Sequence, residues 1–307
     1  MKICLFSLVA VLFLSSPVLA WNDKGHMVVA KLAWDKLSPQ AQKAAIDILK
    51  THPHYAEFLD ADRPDNFPED QWIFMRAATW PDWIRSHHAE ARLSFPKWHY
   101  INKPYVPEGS QLKESDFPAE KPNVVTQITE ASQKVKDGSA QEKPIYLCWL
   151  LHLVGDVHQP LHSATMFSER FPEGDRGGNL VLVRINHGRA QKLHPLWDGL
   201  LGKSISWSSI RGTVADVAQL EKENQAQIDT DLKTGTTPEA WACEGLAAAK
   251  KYAYLDGKLD VANTEDRPSK EEVPNVSDDY VKNAGEVARI AVAKAGHRLA
   301  TVLSNAL

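Results

Sequence analysis

The chain has 307 residues, of which 43% are hydrophobic and 24% are charged, and its formal net charge is −4 at pH 7. These values are typical of a folded protein and exclude a disordered one, while the mild acidity excludes a protein that coats duplex DNA through a broad basic surface. The 12 histidines against 3 cysteines disfavour a thiolate zinc site, so any metal here should bind imidazole and carboxylate groups.

The first twenty residues have the pattern of a secretory signal peptide. Lys2 precedes an apolar run, and residues 18–20 (Val-Leu-Ala) fit a signal-peptidase site. The alternative, a membrane anchor, is disfavoured because the apolar run is short and polar residues follow it at once. We predict cleavage after Ala20, which would give a secreted or periplasmic mature protein of residues 21–307 with Trp21 at its amino terminus.

The mature chain is predicted to be mainly helical. Apolar residues at helical spacing indicate helices at 28–37, 39–50, 67–86, 122–136, 143–158, 209–232, 238–254 and 277–304. Ser38 and Pro39 form an N-cap and first-turn pair. The best strand candidate is Asn179 to Ile185, as one arm of a hairpin. No repeat or linker divides the chain, so we expect a single mainly α domain over residues 21–307 with a small β-hairpin.

Two cysteines, Cys148 and Cys243, remain after the predicted cleavage. In an oxidising compartment they could form a disulfide bond across a long loop. The alternative is two free thiols, because separation in sequence does not give the distance between Cα atoms. We expect the disulfide.

The densest chemical signal is the sequence LHLVGDVHQPLH at 151–162. His152 and Asp156 are four residues apart, so on a helix both side chains reach one cation from the same face. A proline ends this helix and turns His162 in another direction. The same spacing recurs in His194 and Asp198. One such pair usually indicates a salt bridge within a helix, whereas two pairs with additional histidines favour metal binding.

Two other segments place polar groups among aromatic residues. Asp82 lies between tryptophans with Arg85 three residues later, and His99 lies between Trp98 and Tyr100. Each segment alone is typical of core packing around a polar group whose hydrogen bonds are satisfied.

Cleavage after Ala20 would also create a ligand. The free amine and the carbonyl oxygen of Trp21 could chelate a metal in a five-membered ring, and His26 could be a further ligand of the same metal. An α-amine with an ordinary pKa of about 8 can lose its proton to a metal near neutral pH.

Together these features resemble a known family. An amino-terminal Trp with His five residues later, W-x-D-W, WHY, HxxxDxHQPxH, a D-x-x-G-N loop at 175–179 and HxxWD are similar to the motifs of the secreted, zinc-dependent S1/P1 nuclease family. The resemblance covers nearly the whole mature chain. It implies a mainly α, single-domain fold of the phospholipase C/P1 nuclease type.

The resemblance also implies three zinc ions held by nine residues. The first ion would take Asp82, His99, His152 and Asp156. The second would take Trp21, His26 and Asp156, so that Asp156 bridges the zinc pair that activates water. The third would take His162, His194 and Asp198.

Further expectations follow from the same resemblance. Arg85 matches a cation that faces the phosphate, and Tyr100, Asn102 and Asn179 are candidates for substrate binding. Asn102 departs from the pattern, since some members carry Asp there. The implied activity is hydrolysis of single-stranded DNA and RNA to 5′-phosphorylated products, with 3′-nucleotidase activity on 3′-nucleotides. We expect a monomer without a membrane partner.

Two other functions remain open on the sequence. A zinc-dependent phospholipase C would also use an amino-terminal Trp and three zinc ions, although the HQPxH and HxxWD layout and the GGN loop favour the nuclease. A non-catalytic protein that binds zinc or nucleotides is the other alternative, and the presence of all nine ligand positions and Arg85 argues against it. An assay on a choline headgroup against one on a 3′-nucleotide separates the two enzymes.

Overall fold

A computed structural model describes residues 21–307, so the predicted signal peptide at 1–20 lies outside the described residues. The fold is mainly α, as predicted. The helices are α1 (Asp23–Trp34), α2 (Pro39–Leu49), α3 (Glu69–Ala77), α4 (Trp80–Ile84), α5 (Val124–Asp137), α6 (Glu142–Val157), α7 (Leu193–Asp198), α8 (Trp207–Glu223), α9 (Gln225–Thr234), α10 (Pro238–Ala248) and α11 (Asp278–Ala306). Within this described range, no helix combines the length and the apolar character needed to cross a bilayer.

Helix α6 is the centre of the molecule. Every residue from Leu147 to Val157 is buried, as expected for a helix that is apolar on nearly all sides. Helices α1, α5 and α11 pack around it and share one hydrophobic cluster with it. The two polar side chains of this stretch, His152 and Asp156, are therefore held in the core rather than at the surface.

Several predicted helices are confirmed, and two are shorter than predicted. Ser38 accepts a hydrogen bond from the backbone N–H of Ala41 and caps α2 as expected. The segment predicted as one helix at 67–86 is interrupted at 78–79, because Pro81 lies in the first turn of α4 and cannot continue the ladder of α3. The segment at 209–232 is divided into α8 and α9 at Asn224.

The predicted hairpin is present and belongs to a small sheet. The strands are β1 (Pro104–Tyr105), β2 (Thr165–Met166), β3 (Val181–Ile185), β4 (Gln191–Lys192), β5 (Ala262–Asn263) and β6 (Asn275–Val276). Strand β3 is central: it pairs antiparallel with β4 and β5 and parallel with β6. A second hydrophobic cluster packs under this sheet and contacts α7, so the sheet supports the helix that carries His194 and Asp198.

The predicted disulfide is wrong. Cys148 lies on α6 with its side chain fully buried, whereas Cys243 is exposed on α10, and both are free thiols. The Cys243 Sγ lies 4.0 Å from Glu239 Oε1 on its own helix. A thiol enclosed in the core and one that faces solvent cannot meet without backbone movement.

Candidate metal centre

Eight of the nine predicted ligands contribute side chains, and the structure gathers all eight into three groups. Within each group the ligand atoms lie within 4.8 Å of one another. The groups are His26, Asp82 and His152; His99, His152 and Asp156; and His162, His194 and Asp198. His152 is shared, so the first two groups form one continuous cluster, while the third contains the same residues as the third predicted set.

Asp156 is the centre of the first cluster. Its Oδ1 lies 3.3 Å from His26 Nε2. Its Oδ2 lies 3.2 Å from His152 Nε2 and 3.1 Å from His99 Nδ1. The two oxygens of one carboxylate therefore face different imidazoles, which is the arrangement that a bridging ligand needs.

The orientation of His152 is fixed from outside the cluster. Its Nδ1 donates to the carbonyl oxygen of Ala78 at 2.7 Å, so Nε2 is the nitrogen that faces Asp156 and, at 4.0 Å, Asp82 Oδ1. A hydrogen bond from the second ring nitrogen to a carbonyl is the usual support for a metal-binding histidine.

The buried carboxylates of Asp82 and Asp156 favour a positive charge within the first cluster. Burial lowers the pKa of His152, but the carboxylates of Asp156 and Asp82 outweigh it and raise that pKa to about 9. Burial lowers the pKa of His26 to about 4 and that of His99 to about 3, and it raises the pKa of Asp82 to about 6. The two carboxylates thus favour a positive charge on His152, and a cation bound here would balance the same carboxylates.

The buried polar atoms of this cluster provide a test of fit for a metal. Both nitrogens of His26, His99 Nε2 and Asp156 Oδ1 are buried and, within residues 21–307, have no well-oriented hydrogen bond. Buried polar atoms in this state are rare in native proteins. A cation would satisfy His26 Nε2 and Asp156 Oδ1 at once.

The third group also contains buried nitrogen atoms that a cation would satisfy. His162 Nδ1 donates to the carbonyl oxygen of His99 at 2.7 Å. His194 Nδ1 donates to that of Gly177 at 2.6 Å. The Nε2 atom of each ring therefore faces the group. These two atoms lie 2.9 Å apart, and Asp198 Oδ2 lies 3.6 Å from His194 Nε2. A proton or a cation between the two Nε2 atoms satisfies both of them.

The amino-terminal segment is anchored between the first cluster and the third group, which we call the two clusters. The Trp21 indole is fully buried and donates from Nε1 to the carbonyl oxygen of Gly155 at 3.1 Å. Asn22 N–H donates to the carbonyl oxygen of Asp198 at 3.3 Å. Gly155 has to be glycine here, because a Cβ at this position would lie 2.8 Å from His26 Nδ1.

The donor set as a whole fits zinc. It consists of imidazoles and carboxylates, which suit this ion, and it contains no thiolate. The carbonyl groups that orient His152, His162 and His194 supply the outer hydrogen bonds that such sites require.

Comparison with known proteins identifies the family. A family model described as S1/P1 Nuclease matches residues 21–307. The chain belongs to the S1/P1 nuclease family. As a member of this family it is an enzyme, a hydrolase that acts on ester bonds.

Curated relatives of this S1/P1 family member share low identity over long alignments. Endonuclease 4 of Arabidopsis thaliana is 24% identical over 93% of this chain and 89% of its own length. Endonuclease 5 of the same plant is 23% identical over 99% and 96%. Nuclease S1 of Aspergillus oryzae is 25% identical over 51% and 52%.

Arg85 lies at the edge of the first cluster of this S1/P1 nuclease. Its Nη1 donates to Asp82 Oδ1 at 3.3 Å, and the two residues are three apart at the end of α4. Asp82 lies on the short helix α4 and Arg85 caps its C-terminal end, so the break after α3 gives this pair a helix of its own.

The three predicted substrate-binding residues occupy different surroundings. Tyr100 is half-buried and directly follows His99. Asn102 is exposed and accepts a hydrogen bond from the Thr165 hydroxyl at 2.8 Å. Asn179 is buried, and its Nδ2 donates to the carbonyl oxygen of Arg176 at 2.9 Å. Their roles in substrate binding stay predictions.

One supporting residue was missed by the sequence reasoning. Gln159 is fully buried and donates from Nε2 to Asp198 Oδ1 at 2.6 Å. Burial raises the pKa of Asp198 well above its ordinary value, while this hydrogen bond opposes the shift. The signal was available, since Gln159 lies inside the HQPxH motif, but its partner lies 39 residues away.

Proposed function

We propose that this protein is a secreted, zinc-dependent phosphodiesterase that cleaves single-stranded DNA and RNA to 5′-phosphorylated products and also hydrolyses 3′-nucleotides. The observation that carries the proposal is the link between the two clusters through His99. Its side chain belongs to the first cluster, and its carbonyl oxygen orients His162 in the third group. Two cation-binding groups held together in this way are suited to one phosphate. The endonucleases among its relatives support this reaction class.

The proposed cofactors are three zinc ions, in the three sets that the resemblance implies. Bound zinc supplies Lewis-acid charge for a phosphate group and lowers the pKa of water to about 7. Asp156 can serve the two ions of the first cluster because its oxygens face His26 on one side and His152 and His99 on the other.

Arg85 is proposed to neutralise the phosphate. A guanidinium has five N–H donors, so it can hold Asp82 and also donate to a phosphate oxygen. This contact has two effects: it orients Asp82 as a ligand, and it places a fixed positive charge beside the metal cluster, where charge develops on the equatorial oxygens during phosphoryl transfer.

The preference for single strands is proposed to arise from stacking. Tyr100 directly follows His99, whose carbonyl oxygen orients His162, and it is half-buried, so it is partly accessible to a substrate. Stacking of an unpaired base on an aromatic ring contributes roughly 1–3 kcal/mol and tolerates any sequence. A paired base would have to leave its duplex first.

The proposed location follows from the amino terminus. Only cleavage after Ala20 frees the amine of Trp21, whose indole is already anchored on Gly155. We therefore propose that the active form is the secreted or periplasmic monomer of residues 21–307.

The test uses the mature protein loaded with zinc. We expect hydrolysis of a single-stranded oligonucleotide and of 3′-AMP, with slower cleavage of the matching duplex and no phosphate release from 5′-AMP. Phosphatidylcholine is included because a phospholipase C would release its headgroup. Headgroup release without nucleotide hydrolysis, or zinc binding without any hydrolysis, would overturn the proposal.

A further inference from the structure

Asp175 is a buried carboxylate that lies outside all three ligand groups. It is fully buried, and its two oxygens accept three hydrogen bonds. Oδ1 accepts from the backbone N–H of Met166 at 2.9 Å, and Oδ2 accepts from the backbone N–H of Gly178 at 3.0 Å. Oδ2 also accepts from the hydroxyl of Tyr254 at 2.8 Å. A carboxylate bonded in this way holds the 175–178 loop at both ends.

This loop carries the carbonyl that orients His194. Gly177 has a φ of 61°, in the left-handed region that favours glycine, and its carbonyl oxygen accepts from His194 Nδ1 at 2.6 Å. A Cβ on Gly177 would lie 2.4 Å from the carbonyl oxygen of Leu161. The position of the Gly177 carbonyl is therefore fixed by Asp175 on one side and by close packing on the other.

Tyr254 reaches Asp175 from a distorted segment 79 residues away. It follows a single turn of π-helix, Ala249–Ala253, a feature that is often found near functional sites. The next three residues, Leu255, Asp256 and Gly257, all have positive φ, at 51°, 53° and 81°. Two of them are not glycine, and such strain persists only where the surrounding structure over-determines it.

We infer that Asp175 and Tyr254 are positioning residues for the third metal group, acting on His194 through the carbonyl of Gly177. The inference rests on the proposed function, since it requires that His162, His194 and Asp198 bind an ion. The chain of contacts runs from the Tyr254 hydroxyl to Asp175, from Asp175 to the Gly178 N–H, and from the Gly177 carbonyl to His194. Outer hydrogen bonds of this kind commonly change metal affinity by about 10–100-fold when they are removed.

The experiment compares Tyr254→Phe with Tyr105→Phe. Both variants lose one hydroxyl from the same hydrophobic cluster, and the two rings lie 5.6 Å apart. Only the Tyr254 hydroxyl donates to Asp175. Zinc affinity is measured on the full mature protein by competition with a chromophoric chelator. We expect Tyr254→Phe to weaken the third ion by about 10-fold or more, and Tyr105→Phe to leave all three ions at wild-type affinity.

A second readout separates positioning from general stability. The visible absorption of the cobalt-substituted protein reports ligand geometry, and we expect it to change in Tyr254→Phe but not in Tyr105→Phe. Asp175→Asn is expected to change it in the same direction. If Asp175→Asn does not fold, Tyr254→Phe alone decides.

Three outcomes would count against the inference. A lower melting temperature in Tyr254→Phe with wild-type zinc affinity and cobalt spectrum would show a structural role only. Equal losses of zinc in both tyrosine variants would show that any change in this hydrophobic cluster weakens zinc binding. A wild-type protein that never binds a third ion would overturn the proposed function as well, whereas the first two outcomes leave that proposal standing.

Discussion

The imidazoles of His162 and His194 face each other through their Nε2 atoms at a distance of 2.9 Å. Both rings are held there by backbone carbonyls that accept from their Nδ1 atoms. The polypeptide therefore aims two Nε2 atoms at each other, so that a proton or a cation can bind between them.

Asp156→Ala is expected to lose the two ions of the first cluster and to reduce hydrolysis by more than about 100-fold, since removal of even an outer partner costs about 10–100-fold. The reason is that each Asp156 oxygen faces a different part of the cluster. Elemental analysis and the 3′-nucleotide assay measure both effects. Asp47→Ala, which removes an exposed helix ion pair, is the control. Near-normal hydrolysis by Asp156→Ala would rule out a bridging role.

A form with one extra residue before Trp21 is expected to be poor in zinc at the second site. The extra residue converts the amine into an amide, which cannot bind zinc as an amine does, while the Trp21 indole can still anchor on Gly155. Zinc content is compared with that of the form that begins at Trp21. Full zinc occupancy in the extended form would contradict the proposed role of the amine.

Removal of zinc with EDTA is expected to abolish activity and to lower the melting temperature by roughly 10 °C or more. A bound ion present at about 1,000 times its Kd adds about 4 kcal/mol to the stability of the folded state. Differential scanning calorimetry gives the shift, and added zinc, but not magnesium, should reverse it. A melt that does not respond to EDTA would show that the ions contribute little to folding.

Gln159→Leu is expected to weaken zinc at the third group by about 10–100-fold. The change removes the donor that holds Asp198 Oδ1 at 2.6 Å and leaves a buried carboxylate without this support. Gln127→Leu is the matched control, because Gln127 is also buried but bonds to Glu130 on α5. If the two variants bind zinc equally well, Gln159 does not support the site.

His52→Asn is expected to make stability depend less on pH between 7 and 5. Burial, together with His54, lowers the pKa of His52 from 6.5 to about 3. Between these two values the unfolded chain binds a proton and the folded chain does not, so folding stability falls as the pH falls. The backbone N–H of His54 donates a hydrogen bond to His52 Nδ1, and the side-chain oxygen of an Asn can still accept that hydrogen bond.

Urea unfolding at pH 7 and pH 5 measures this effect. The loss of unfolding free energy between the two pH values should be smaller in His52→Asn than in the wild type by about 1–2 kcal/mol. Comparison with the wild type cancels the contribution of the metal ligands, which are unchanged. Identical losses in the two proteins would show that His52 titrates normally.

The fold class could be predicted from the sequence because it depends on local spacing, which also indicated two His-Asp pairs as candidate ligands, whereas the full set of nine candidate ligands came from the resemblance to a family. His152 and Asp156 share a helix face at a separation of four residues, and the N-cap at Ser38 is a local signal. The hairpin arm at β3 was also found from local patterning. The interrupted helix at 67–86 was missed, since apolar spacing continues through a break that Pro81 imposes.

The sequence by itself determined the helical pattern and the His and Asp residues that could bind a cation, since residues four apart along a helix lie on one face. Only the tertiary structure decided which groups meet: Gln159 with Asp198, Gly177 with His194, and Cys148 apart from Cys243. These contacts join residues that are distant along the chain. The contact between Gly177 and His194 uses a backbone carbonyl, which every residue carries, so no pattern of side chains could have revealed it.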